Sequence, residues 1–144
     1  MCVIHKTSSV LIAEQVIEIV QTSRKKAIIV DDDQAFIDSL ADLVNIAGID
    51  VIGTGKNGKD AVTMYETLRP DIVMLDLMMD DYDGFYAIKG IQKIDPDARF
   101  IVMSALDSKK AYEDLIKLGV QKIIRKPVTA DKIGDVLANH DQHK

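Results

Sequence analysis

Asp31, Asp32 and Asp33 are three consecutive acids directly behind the apolar run "IIV" at 28–30, and a further one, Asp76, closes the run "IVML" at 72–75. Carboxylates about 4 Å apart repel by roughly 4 kcal/mol at the effective dielectric of a protein surface. A fold that gathers them needs a divalent cation, a lysine or open water to neutralise the group. Open water is the plain alternative, in which the triplet is an ordinary strand-to-helix turn and Asp33 caps the helix that follows. Two more groups with chemical capacity follow similar runs: Ser104 after "FIVM" at 100–103, and Lys126 just beyond "KII" at 122–124. Oxygen ligands without histidine or thiolate select a hard cation, and a small acidic site left partly open suits magnesium, which keeps waters and meets phosphoryl oxygens. A lysine adds a point charge to such an oxygen, and a hydroxyl adds a hydrogen bond. Asp76 has no acidic neighbour on its own run, so its carboxylate is free to attack phosphorus in line. Phosphoryl transfer onto the protein itself, at Asp76, is the chemistry these residue types suggest.

These groups converge only if the runs that carry them lie side by side. From about residue 26 the chain alternates short β-branched runs with helix-length amphipathic segments, the pattern of βα units around a parallel sheet. Strands are expected at 27–30, 50–54, 72–75, 100–103 and 122–124, and helices at 34–47, 58–68, 84–94, 108–118 and 129–139. Gly48 and Gly119 stand where helix C-caps need a left-handed residue, and Asp83, Asp107 and Thr129 stand where N-caps fall. In an open doubly wound sheet, ligands bind beyond the carboxyl ends of the strands. Those ends carry the three acids, Asp76, Ser104 and Lys126, all opening onto one edge. The glycine-rich "GTGKNGKD" at 53–60 lacks the Gly-Lys-Ser/Thr ending of a P-loop and reads as the loop after the second strand.

Composition narrows the alternatives. The chain has 144 residues, 47% of them hydrophobic, enough for one domain with a sizeable core. A net charge of −5 and a pI near 5.1 argue against a nucleic-acid surface. Cys2 is the single cysteine, which excludes disulfide frameworks and thiolate zinc sites and makes a reducing cytoplasm the expected compartment. No apolar stretch reaches the roughly 18 residues of a membrane span, and the N-terminal segment is broken by Glu14, Gln15 and Glu18, so neither an anchor nor a signal peptide is expected. That segment carries Leu11, Ile12, Val16, Ile17, Ile19 and Val20 as a broad apolar stripe behind Ser8 and Ser9. It is expected to form a helix that docks on the domain's own surface, pairs with a second copy, or fits a partner's groove.

Four pieces in register, "IIVDD" at 28–32, "DIVMLDLMMDDYDG" at 71–84, "FIVMSA" at 100–105 and "IIRKPV" at 123–128, make the chain resemble a response-regulator receiver domain of two-component signalling, of the chemotaxis-regulator kind. Asp76 lies 44 residues beyond Asp32, as in that family. The resemblance covers residues 26 to 140. It implies an α/β, flavodoxin-like, doubly wound five-stranded parallel sheet in the order 2-1-3-4-5 with five flanking helices, here preceded by an extra N-terminal helix. Residues 1–25 would be a helical extension and 26–144 the receiver domain.

By the same resemblance, Asp76 accepts a phosphoryl group from a histidine kinase or phosphotransfer protein. Mg2+ is held by Asp31, Asp32, Asp76 and the backbone carbonyl of Met78, with Asp32 the more direct ligand of the acid pair. Ser104 moves to bond the phosphoryl group, Lys126 pairs with it, and the peptide bond before Pro127 is cis. Such a protein is a phosphoacceptor switch rather than an enzyme, assisting its own phosphotransfer and dephosphorylation. The added charge changes partner binding; the face of the fourth and fifth helices, with Lys109, Lys110, Lys117, Lys122 and Arg125, is the expected output surface. The chain ends just after the fifth helix, leaving no space for a DNA-binding output domain, as in a stand-alone regulator or a receiver cut from a larger protein.

This chain departs from the family's usual pattern in three places. Asp80 stands where proline is common. Ile123 takes the position of an aromatic switch residue. Met78 and Leu106 are apolar where other members carry polar groups able to guide a hydrolytic water, which points to slow loss of phosphate. A haloacid-dehalogenase-type phosphatase also uses an aspartate nucleophile after a parallel strand, but wants a second aspartate at the position of Met78. A pseudo-receiver, which binds partners without being phosphorylated, is the alternative left open by Ile123.

Overall fold

The structure, a computed structural model, describes residues 24–105 and 108–140. The expected N-terminal helix, with the dimer contact it would make, lies outside the described residues, as does Leu106. Five strands, β1 (Lys26–Val30), β2 (Asp50–Gly55), β3 (Ile72–Asp76), β4 (Phe100–Ser104) and β5 (Lys122–Arg125), alternate with five helices, α1 (Gln34–Ile46), α2 (Gly58–Leu68), α3 (Gly84–Ile94), α4 (Lys109–Lys117) and α5 (Ala130–His140). All strand pairs are parallel, and the order across the sheet is β2-β1-β3-β4-β5. The fold class and strand order expected from the sequence are those observed.

The continuous apolar runs have a simple cause: both faces of the sheet are covered, so successive side chains enter opposite cores. Ala27, Ile29, Ile72, Met74, Ile101 and Met103 face one side and pack with Ile37, Leu40 and Val44 of α1 and Ile133 and Leu137 of α5. Ile28, Val30, Val73, Leu75, Phe100 and Val102 face the other, against Ala61 and Tyr65 of α2, Ala87, Ile88 and Ile91 of α3, and Leu115 of α4. Every residue of β3 and β4 is buried. That holds even for the polar residues that end them, Asp76 and Ser104, which belong to the strands rather than to the loops beyond.

Helix ends follow local chemistry. The Asp33 carboxylate accepts the N–H groups of Ala35 (3.0 Å) and Phe36 (3.3 Å), capping α1. Asp83 caps α3 through the N–H of Tyr86, and the Thr129 hydroxyl accepts from Lys132 N–H at the start of α5. At α4 the capping side chain is Ser108, which accepts from Ala111 N–H; Asp107, expected there, lies outside the described residues. Gly48 and Gly119 follow their helices at φ 93° and 90°, the left-handed region that glycine enters without steric cost. Among the described residues no helix is long and apolar enough to cross a membrane.

Candidate functional site

The sheet brings five of the chemically capable residues to one edge. Asp31 follows β1 and is 1% exposed; its N–H donates to the carbonyl of Gly55 (3.0 Å) at the end of β2. Both of its carboxylate oxygens are engaged. Oδ1 accepts the N–H of Asp33 (2.9 Å), and Oδ2 accepts the Lys126 ammonium (2.8 Å). Asp32, by contrast, is exposed. Asp76 ends the central strand at 5% exposure, with one oxygen 3.6 Å from Lys126 Nζ. Ser104 ends the adjacent strand at 6% exposure, and its carbonyl accepts the N–H of Lys126 (2.8 Å). Asp33, the third acid of the run, serves the helix instead: a single turn divides the triplet into a buried acid, an open acid and a cap.

Burial and charge set the electrostatics. Loss of hydration, reinforced by the charges of Asp31 and Asp32, pushes the Asp76 carboxyl up to about 6; the Lys126 charge and the Met78 N–H act in the opposite direction. Burial disfavours the Lys126 ammonium, but its hydrogen bond to Asp31 and the charge of Asp76 outweigh that and hold its pKa above the ordinary lysine value. The site is thus an acid cluster with insufficient positive charge. Ligand atoms of Asp31, Asp32 and Asp76 all lie within 4.8 Å of one another. Opposed ligands around an octahedral magnesium are about 4 Å apart, so a small contraction would seat one, and the exposure of Asp32 leaves room for retained waters. The donor set fits a hard divalent cation.

The loop beyond Asp76 is held from two sides. Leu77 N–H continues the ladder onto Met103 O (3.2 Å), and Gly84 N–H returns to Leu77 O (2.9 Å). Met78, whose backbone N–H meets the Asp76 carboxylate, turns its side chain out to 56% exposure. Asp80 and Asp81 are exposed, and Tyr82 takes φ 52° and sets its ring against that of Tyr86 in a tilted pair, 4.8 Å between centroids and 56° between planes. The Lys126–Pro127 peptide bond is cis, as the resemblance implied. Ile123, in place of the aromatic residue, is half-buried and packs against the core on the α2–α3–α4 face.

Two contributors were not apparent from sequence. The Phe36 ring lies beneath the Lys126 ammonium, 4.2 Å from Nζ to centroid. Lys132, on α5, donates through Nζ to the carbonyls of Arg125 (3.0 Å) and Pro127 (2.9 Å), spanning the residue that carries the charge. The only sequence signal for Phe36 is an aromatic residue in the first turn after an acid run; for Lys132 there is none, because backbone carbonyls leave no trace in residue types.

A doubly wound sheet with an acid pair, a strand-end aspartate, a strand-end hydroxyl and a lysine on one edge defines a class, and comparison bears this out: residues 27–138 match the family model described as response regulator receiver domain. The chain belongs to that family. It is 39% identical over 113 residues to the chemotaxis protein CheY of Thermotoga maritima, covering 78% of this chain and 94% of that protein. It is 36% identical over 107 residues to CheY of Bacillus subtilis, covering 74% and 89%. Among solved structures, a chain of the CheX–CheY–BeF3–Mg2+ complex from Borrelia burgdorferi superposes with a TM-score of 0.79 at 28% identity, covering 84% of this chain and 92% of that one.

Proposed function

We propose that this receiver takes a phosphoryl group onto Asp76 from a phosphohistidine on a sensor kinase or phosphotransfer protein, and that the resulting change in charge alters which partner it binds. The observation that carries this reading is the clustering of Asp31, Asp32 and Asp76 within 4.8 Å beside a lysine 3.6 Å from the acceptor. In the step itself an Asp76 oxygen forms a bond to phosphorus while the bond from phosphorus to the donor nitrogen breaks, leaving the electron pair on the imidazole. Mg2+ held by Asp31, Asp32, Asp76 and the Met78 carbonyl would supply positive charge to the transferring oxygens. Lys126 then exchanges Asp31 for a phosphoryl oxygen, and the Ser104 hydroxyl donates to another.

In this reading the protein is a switch, not an enzyme with a separate substrate. It acts in the cytoplasm, and residues 1–25 extend a receiver domain of 26–144 and contribute a self-association or docking helix. The test is intact mass after incubation with Mg2+ and acetyl phosphate, with Asp76→Asn as control. A single phosphoryl adduct that disappears in the variant supports the proposal. Absence of an adduct on folded, magnesium-binding protein would favour a binding module that works without phosphorylation.

A further inference from the structure

We infer that Phe36 is a positioning residue for Lys126, its ring face seating the ammonium over the acid cluster so that the charge is in place when a phosphoryl group arrives. The inference rests on the phosphoacceptor reading above. A lysine reaches its target on a flexible four-carbon stem with three rotatable donors, so one hydrogen bond fixes its head poorly. Here the head has three neighbours: Asp31 Oδ2 at 2.8 Å, Asp76 Oδ1 at 3.6 Å, and the Phe36 ring centroid at 4.2 Å. The two carboxylates pull it toward the reacting edge. The ring occupies a further flank with the negative face of its π system, where water would otherwise compete for the ammonium.

The rest of the site sets the ring in turn. Phe36 sits in the first turn of α1, its N–H bonded to the capping Asp33, and it packs against the core formed by α1, α5 and the sheet. One six-residue stretch, 31–36, therefore supplies Asp31 and Asp32, the cap that starts the helix, and the seat for a lysine from the far edge of the sheet. An aliphatic residue of similar bulk would satisfy the packing; only an aromatic face holds the cation.

The full chain with Phe36→Leu and with Phe36→Tyr separates these roles. Uptake of phosphate from acetyl phosphate with Mg2+ is followed by intact mass, and the Lys126 Cε protons are observed by NMR. Phe36→Leu is expected to slow uptake by about fivefold and to move those protons back from the upfield position the ring imposes, while Phe36→Tyr stays close to the parent in both. Uptake by Phe36→Leu at the parental rate overturns the inference. An equal loss in Phe36→Tyr does so as well, since packing and not the ring face would then be at fault. If the parent protein takes up no phosphate, the phosphoacceptor reading fails; the Lys126 protons of the parent still decide the seat, because an unshifted signal there overturns it whatever the variants do.

Discussion

Gly58 donates its backbone N–H to the carbonyl of Tyr82, joining the first turn of α2 to the loop that leaves the acceptor strand. A Cβ on residue 58 would overlap the carbonyl oxygens of both Tyr82 and Asp83. These are backbone atoms, which cannot swing aside as a long side chain does. Gly58→Ala should therefore push the loop away, disturb the Asp83 cap of α3, and cost about 1–3 kcal/mol. Denaturant unfolding would measure the loss, and the rate of phosphate uptake should fall with it. An unchanged midpoint would mean the loop has space to retreat.

Lys126 stands in for a cation among the acids. Replacing it with methionine leaves Asp31 buried and unpaired beside Asp76, which should destabilise the metal-free protein by about 3 kcal/mol or more. Magnesium should then stabilise Lys126→Met more than it stabilises the parent, because it restores a charge the parent already has in part. Thermal melts in magnesium and in chelator test this. Equal gains in both proteins would sink the idea.

Tyr65, 4% exposed, donates its hydroxyl to Asp95 at 2.6 Å, on the edge of the sheet away from the acid cluster. Burial, then the bond to Asp95, pushes the phenol far above its ordinary value, and the same bond lowers the Asp95 carboxyl. A raised folded-state pKa gives stability that is present below the free phenol's pKa and lost as pH rises beyond it. A lowered one gives stability that is present above the usual carboxylate range and lost as pH falls through the folded value. Tyr65→Phe should thus cost about 1 kcal/mol near neutrality, with the difference from the parent shrinking in acid and again above about pH 10. A difference that stays flat across that range would show that the bond is not the cause.

Met78 exposes an apolar side chain two residues after the acceptor, a position from which a polar group could order an attacking water. The phosphorylated protein is expected to lose its phosphate slowly, and Met78→Asn to lose it several times faster. A timed chase by intact mass at neutral pH decides between them. Fast loss in the parent would refute the expectation directly.

The sheet was readable from sequence because strands covered on both faces must be apolar throughout, as the runs of β1, β3 and β4 are, with the half-buried β2 and β5 left to the two outer positions. The strand ends were harder to place: Asp76 and Ser104 looked like the first loop residues, yet both stay in the ladder, since parallel neighbours continue to offer partners to the backbone. Asp33 was legible as a cap because that role needs only neighbours two and three residues on. At α4, Asp107 and Ser108 are adjacent residues that cap equally well, and spacing alone does not choose between them. The contact of Phe36 with Lys126 was not legible; sequence showed only an aromatic residue in the first turn after an acid run. The contact spans 90 positions and depends on how one helix lies across the sheet, which no local pattern encodes.

Asp76 closes β3, the middle strand of the five, whereas Lys126 hangs just past β5, an outermost strand whose residues are half-buried, half-buried, buried and exposed in turn. A middle strand is braced by two neighbours; an outer one is tethered on a single side. Any rearrangement that draws the lysine toward a newly charged aspartate will therefore be taken up unequally, with the anvil at the centre holding still and the rim giving way. The carbonyl of Ser104 is bonded to the Lys126 amide, so that outer rim is tied to the braced part of the sheet at the hydroxyl-bearing residue.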